Sequence, residues 1–76
     1  MTNQQAEAAC DKVQGAGWSL NGRPTLDNGY WQIPFLYHRS LWQAFVKDRA
    51  ITATSDEAAF IEEIERAVGM AIISSR

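Results

Sequence analysis

Seventy-six residues, 46% of them apolar and with a net charge of −2, make one domain, and a chain near this length hides only about 60% of its extended surface on folding. The lone cysteine, Cys10, excludes an intrachain disulfide, no Cys/His spacing fits zinc, and no cofactor motif appears. Large side chains and self-association are the remaining aids to stability, and three tryptophans supply the first.

The first predicted element is a helix over about residues 3–14. Thr2 and Gln5 have capping-box spacing, and Ala6, Ala9, Cys10 and Val13 fall on one helical face. That face is small, so the helix can sit close to a neighbour while adding little apolar area. Cys10 reads as a small core residue rather than a reactive thiol. "QGAG" stops the helix, with Gly15 able to adopt the left-handed conformation.

Trp18 and Leu20 alternate as a short strand would, over about 18–20. The Asn21–Gly22 pair is a hairpin signal, "RPTL" with Pro24 suits an edge strand or a loop, and "DNG" at 27–29 is a second turn. The stretch reads as a short strand, a turn, a second extended stretch and a second turn, with one strand or two between 18 and 29 left open.

The next stretch, "GYWQIPFLYHRSLWQAF", holds six of the eight aromatic rings and the only histidine. Trp31, Ile33, Phe35 and Tyr37 alternate, giving a strand over about 30–37 with one wholly apolar face. Tyr30, Gln32, Pro34, Leu36 and His38 take the other face, and Pro34 argues for an edge or a bulge. "HRS" turns the chain into a strand over about 41–47, with Trp42, Ala44 and Val46 on one face and Leu41, Gln43 and Phe45 on the other. Apolar residues on both faces predict a central strand. "KDR" then turns into a short strand at about 50–53.

A final helix covers about 55–71. Thr54 and Glu57 have capping-box spacing, and Asp56 and Glu57 complement the helix dipole. Phe60, Ile61, Ile64, Ala67, Val68 and Ala71 form its apolar stripe. Gly69 either ends this helix or is tolerated within it. If it ends the helix, "MAIISSR" is an apolar tail, with Ile72 and Ile73 as dimer contacts.

The expected fold is α+β: a helix, an antiparallel meander of about three strands, and a helix, with both helices on one sheet face. The order helix–strand–strand–strand–helix resembles the double-stranded-RNA-binding domain. That family grips phosphates with a lysine-rich start to its last helix, whereas "TSDEAAFIEE" here would repel them. The resemblance therefore implies topology alone, and no RNA contact carries over.

Charge is unevenly spread. Arg23, Arg39, Lys47 and Arg49 outnumber Asp27 and Asp48 in the aromatic middle, while five acids outnumber Arg66 and Arg76 after residue 50. The molecule is dipolar rather than basic. Single-stranded nucleic acid, stacked on Tyr30, Tyr37 or Trp42 and held by those four cations, is the alternative partner, with weak and salt-sensitive binding expected. No nucleophile is placed beside His38, the acidic pairs serve the helix, and a pocket of about 300 Å³ or more is a large demand on this chain, so no enzyme is expected. "MTNQQAEAAC" has no basic region with an apolar core, and no apolar run approaches the roughly 18 residues of a membrane span. A cytoplasmic protein with no membrane, metal or cofactor partner is expected. Size and composition suit a phage or mobile-element accessory protein.

The reading that follows is a small interaction or regulatory module, homodimeric or bound to another protein. Its contact surface is the second sheet face with the adjoining turn: Tyr30, Leu36, Tyr37, His38, Arg39, Leu41, Trp42 and Phe45. Tyr, Trp and Arg are the residue types enriched at binding hot spots.

Overall fold

The computed structural model describes residues 1–74. Its elements are α1 (Asn3–Asp11), β1 (Trp18–Leu20), β2 (Thr25–Asp27), β3 (Tyr30–Tyr37), β4 (Ser40–Lys47) and α2 (Thr54–Ser74). The fold is α+β, with a four-stranded antiparallel sheet.

Helix α1 begins as its capping box dictates: Gln5 N–H donates to Thr2 Oγ1 at 3.1 Å and Thr2 N–H to Gln5 Oε1 at 2.9 Å. It ends at Asp11, three residues earlier than the periodicity predicts, with Lys12 as C-cap. Gly15 lies beyond this stop and is not left-handed; Gly17 is, at φ 81°. Trp18 folds back against Gly15, so a Cβ there would lie 2.6 Å from the indole ring, well inside van der Waals contact. Trp18 then meets Phe35 edge-on at 6.1 Å.

Strands β1 and β2 are not a hairpin. They lie end to end along one edge of β3, Trp18 opposite Tyr37 and Asp27 opposite Tyr30. Between them the four residues Asn21 to Pro24 stand opposite only Ile33 and Pro34, so the row bulges. The cause is on β3. Asn21 N–H donates to Pro34 O at 2.9 Å, and in an antiparallel ladder a residue's N–H and C=O point to the same side. The missing N–H of Pro34 therefore faces this row, at the break between β1 and β2. Pro24, at the end of the bulge, is buried.

Asn28 and Gly29, at φ 52° and 80°, form the tight turn from β2 to β3 that "DNG" predicts. Strand β4 pairs with β3 from Tyr30–Lys47 to Tyr37–Ser40. It has no second neighbour among the described residues, which corrects the expectation of a central strand. Its two apolar faces have another cause: one is covered and the other is open. Residues 50–53 form no strand but an irregular lead into α2.

Asp56, not Glu57, caps α2. Its Oδ2 accepts from Ala53 N–H at 3.1 Å, and from Thr52 N–H and Oγ1 at 2.9 Å each. These bonds hold the Asp56 carboxyl below its usual pKa, the Thr52 backbone N–H contributing most. Glu57 is thereby freed to pair with Lys12 Nζ at 2.6 Å, tying α2 to α1. Gly69 lies inside α2, which runs unbroken to Ser74. Met70 to Ser74 is thus helix rather than a separate tail, and Ser75 and Arg76 fall outside the described residues.

Both helices cover the same sheet face. Trp31, Ile33, Phe35, Ala44 and Val46 point into the core and meet Ala6 and Ala9 of α1 and Phe60, Ile64 and Val68 of α2. No helix of the described residues is long and apolar enough to cross a membrane.

Candidate functional surface

The sheet face turned away from the helices is set by the parity of β3 and β4. Tyr30, Gln32, Pro34 and Leu36 of β3 stand opposite Lys47, Phe45, Gln43 and Leu41 of β4, all on that side. Four large side chains lie exposed there: Leu41 at 62%, Phe45 at 56%, Tyr30 at 47% and Leu36 at 37%. Leu36 and Leu41 are direct cross-strand neighbours at the turn end. Phe45 sits across from Gln32, and Tyr30 closes the row beside Lys47 at the other end.

The expected contact surface is split by the fold. Tyr30, Leu36, Leu41 and Phe45 share the open face. Tyr37 and Trp42 do not: their register puts them on the helix-facing side, packed half-buried against the core. Tyr37 stands edge-on to the His38 ring at 4.2 Å. The Trp42 indole N–H is buried with no hydrogen-bond partner among the described residues, so this ring fills space without a polar anchor. His38 and Arg39 are exposed in the β3–β4 turn, at φ 50° and 64°. That left-handed pair without a glycine is a conformation held by the hairpin around it. The dimer contacts expected on Ile72 and Ile73 divide likewise: Ile72 is half-buried against the core and Ile73 is exposed.

Cations do not gather on the open face. Lys47 lies on it, with Asp27 at the rim opposite Tyr30. Arg49 is held by Asp56 at 3.7 Å and Glu63 at 3.6 Å, and Arg23 stands 3.6 Å from Glu7. The described residues hold no cluster of potential metal ligands. Cys10 is half-buried, and burial, then the nearby charges of Asp11 and Glu7, push its thiol up to about 11. It is therefore a weak nucleophile at neutral pH.

One polar junction joins the sheet to the start of the chain. Asp48 Oδ1 accepts from Trp31 Nε1 at 2.8 Å and from the Met1 ammonium at 3.1 Å, and that ammonium also donates to Arg49 O at 2.9 Å. The Trp31 hydrogen bond does most to hold the Asp48 carboxyl below its ordinary value. No sequence pattern singles out Asp48, which read as part of a turn.

A second feature escaped the sequence reading. Beside β4, on the helix side, a groove runs between Phe45, Val46 and Lys47 and the α2 residues Glu63, Arg66, Ala67 and Met70. These α2 positions share one helical stripe, which Met70 leaves 63% exposed. Comparison with known protein families, curated proteins and solved structures finds no match.

Proposed function

We propose that this chain is a non-enzymatic interaction module that docks a partner protein on the sheet face carrying Tyr30, Leu36, Leu41 and Phe45. The reading rests on one observation: both helices lie on the same side of the sheet, so these four side chains share a face that the described chain leaves uncovered. Four large exposed apolar side chains on one face of a small domain are the kind of feature that accompanies an interaction surface. The sparse charge on the face favours an apolar protein surface over phosphate.

The test is a double variant, Tyr30→Ser with Leu36→Ser, on β3 and away from the free edge of β4. Wild type and variant are used as baits and compared by quantitative mass spectrometry. The reading expects proteins retained by wild type to be lost from the variant, with circular dichroism and melting unchanged. Equal retention by both would sink it. A labelled single-stranded oligonucleotide is the control for the competing partner, read by anisotropy because no tryptophan lies on the open face. Tight binding at low salt that the double variant abolishes would replace protein with nucleic acid as the partner.

A further inference from the structure

We propose that the first partner is a second copy of this chain, paired antiparallel along the free edge of β4 about a two-fold axis at Gln43. The polarity of that edge follows from the ladder. Pro34 turns its carbonyl toward Asn21 and Asp48 N–H donates to Gly29 O at 2.9 Å, so Ile33 and Phe35 aim their backbone groups at β4. Ala44 and Trp42 aim back at them, which leaves the N–H and C=O of Leu41, Gln43 and Phe45 directed off the edge.

Exposed edges are ordinarily guarded by charge, proline, a bulge or brevity. On β4 the one such guard is Lys47, at its very end. The strand is eight residues long, and from Ser40 to Val46 it contains no charged residue and no proline. The outward side chains also read the same in both directions: apolar Leu41, polar Gln43, apolar Phe45. Pairing about Gln43 sets Leu41 against Phe45 of the second copy, twice, and Gln43 against itself. Aromatic–aliphatic and amide pairs suit such positions. A foreign strand would need to match this pattern by chance, whereas a second copy matches it by symmetry.

Area supports the same occupant. An edge of eight residues is about 27 Å long, and it is flanked by the open face above and by the α2 stripe below. Pairing brings the two α2 helices side by side, with Met70, which lines the groove beside β4 and is 63% exposed, on the flank that meets. The edge, Leu41, Phe45 and this flank are the surfaces such a pair would bury. The accessible surface of the chain is 5051 Å², above the roughly 4,650 Å² of a compact monomer of 8.5 kDa. The dimer joins two open faces into one, and what that doubled face holds rests on the reading above.

The experiment is disulfide trapping combined with mass in solution. In a Cys10→Ala background, Gln43→Cys places two thiols across a hydrogen-bonded pair about 5.5 Å apart at Cα, within disulfide reach. Gln32→Cys, on the middle strand, is the control. The expected result is a dimer by light scattering, with covalent trapping at 43 and none at 32. Gln43→Pro deletes an N–H that points off the edge and spares the β3 ladder, so it should weaken association at least about tenfold. If that variant loses its fold, Leu41→Lys tests the same edge with the backbone intact. A monomer at every concentration, trapping at 32 rather than 43, or a folded edge variant that still dimerises would each overturn the proposal. So would an apolar peptide that occupies the edge of a monomeric wild type. None of these results touches the Tyr30 and Leu36 variant, so the two readings fail separately.

Discussion

The backbone of His38 and Arg39 shows how one residue choice loads a turn. Both adopt positive φ, a conformation that costs a residue with a Cβ roughly 1 kcal/mol. The equivalent turn at Asn28–Gly29 uses residues that tolerate it. Replacing Arg39→Gly should therefore stabilise the fold by about 1 kcal/mol and raise the melting temperature by about 4–8 °C. An unchanged or lower melting temperature would show that the arginine side chain offsets the strain. Trp31 poses the opposite case, a buried ring whose N–H is satisfied by Asp48. Its place in the core was legible from alternation with Ile33 and Phe35. Its acceptor was not, because a hydrogen bond spanning 17 positions leaves no periodic trace.

At the scale of elements, α2 was the most readable part, since its stripe of Phe60, Ile64 and Val68 repeats with the helical period and all three are buried. Its limits were less so. Asp56 displaced Glu57 as the cap by one position, and Gly69 proved to be interior. A Cβ at Gly69 meets nothing within 4 Å, so Gly69→Ala should stabilise by about 0.5–1 kcal/mol through reduced freedom of the unfolded chain. Thermal melts would show a rise of several degrees; a fall would mean α2 is not helical there. Strand β4 was misread as central because apolar residues on both faces have two causes that sequence cannot separate. One is burial on both sides and the other is an uncovered side. Trp42 and Tyr37 were drawn to the contact surface by their place beside the His38–Arg39 turn, although the alternation of β3 already put Tyr37 on the buried face. Asn21–Gly22 signalled a turn and the chain does bend there, Gly22 at φ 106°, but β1 and β2 pair with β3 instead of with each other, which local turn chemistry does not decide.

For the molecule as a whole, the lowered carboxyls of Asp48 and Asp56 join the start of the chain, the sheet and the cap of α2. A carboxyl depressed in the folded state contributes stability that is fully present above its unfolded value, near 3.9, and is lost as pH falls through the folded value. Stability should therefore be level from neutral pH to just above 4 and decline below it. Asp48→Asn should flatten part of that decline, as urea titrations at several pH values would show. If wild type and the variant decline alike, the Trp31 bond does not depress this carboxyl.

The bulge at Asn21–Pro24 bears on how far such molecules could polymerise. Two three-residue strands separated by a kink offer an incoming chain no continuous template, while the opposite margin of the sheet offers one of eight residues. On the proposed pairing, growth would run in one direction alone, and a single addition would consume it. If the proposed edge pairing holds, a molecule with one continuous margin and one interrupted by the bulge opposite Pro34 would terminate as a closed pair rather than a fibre.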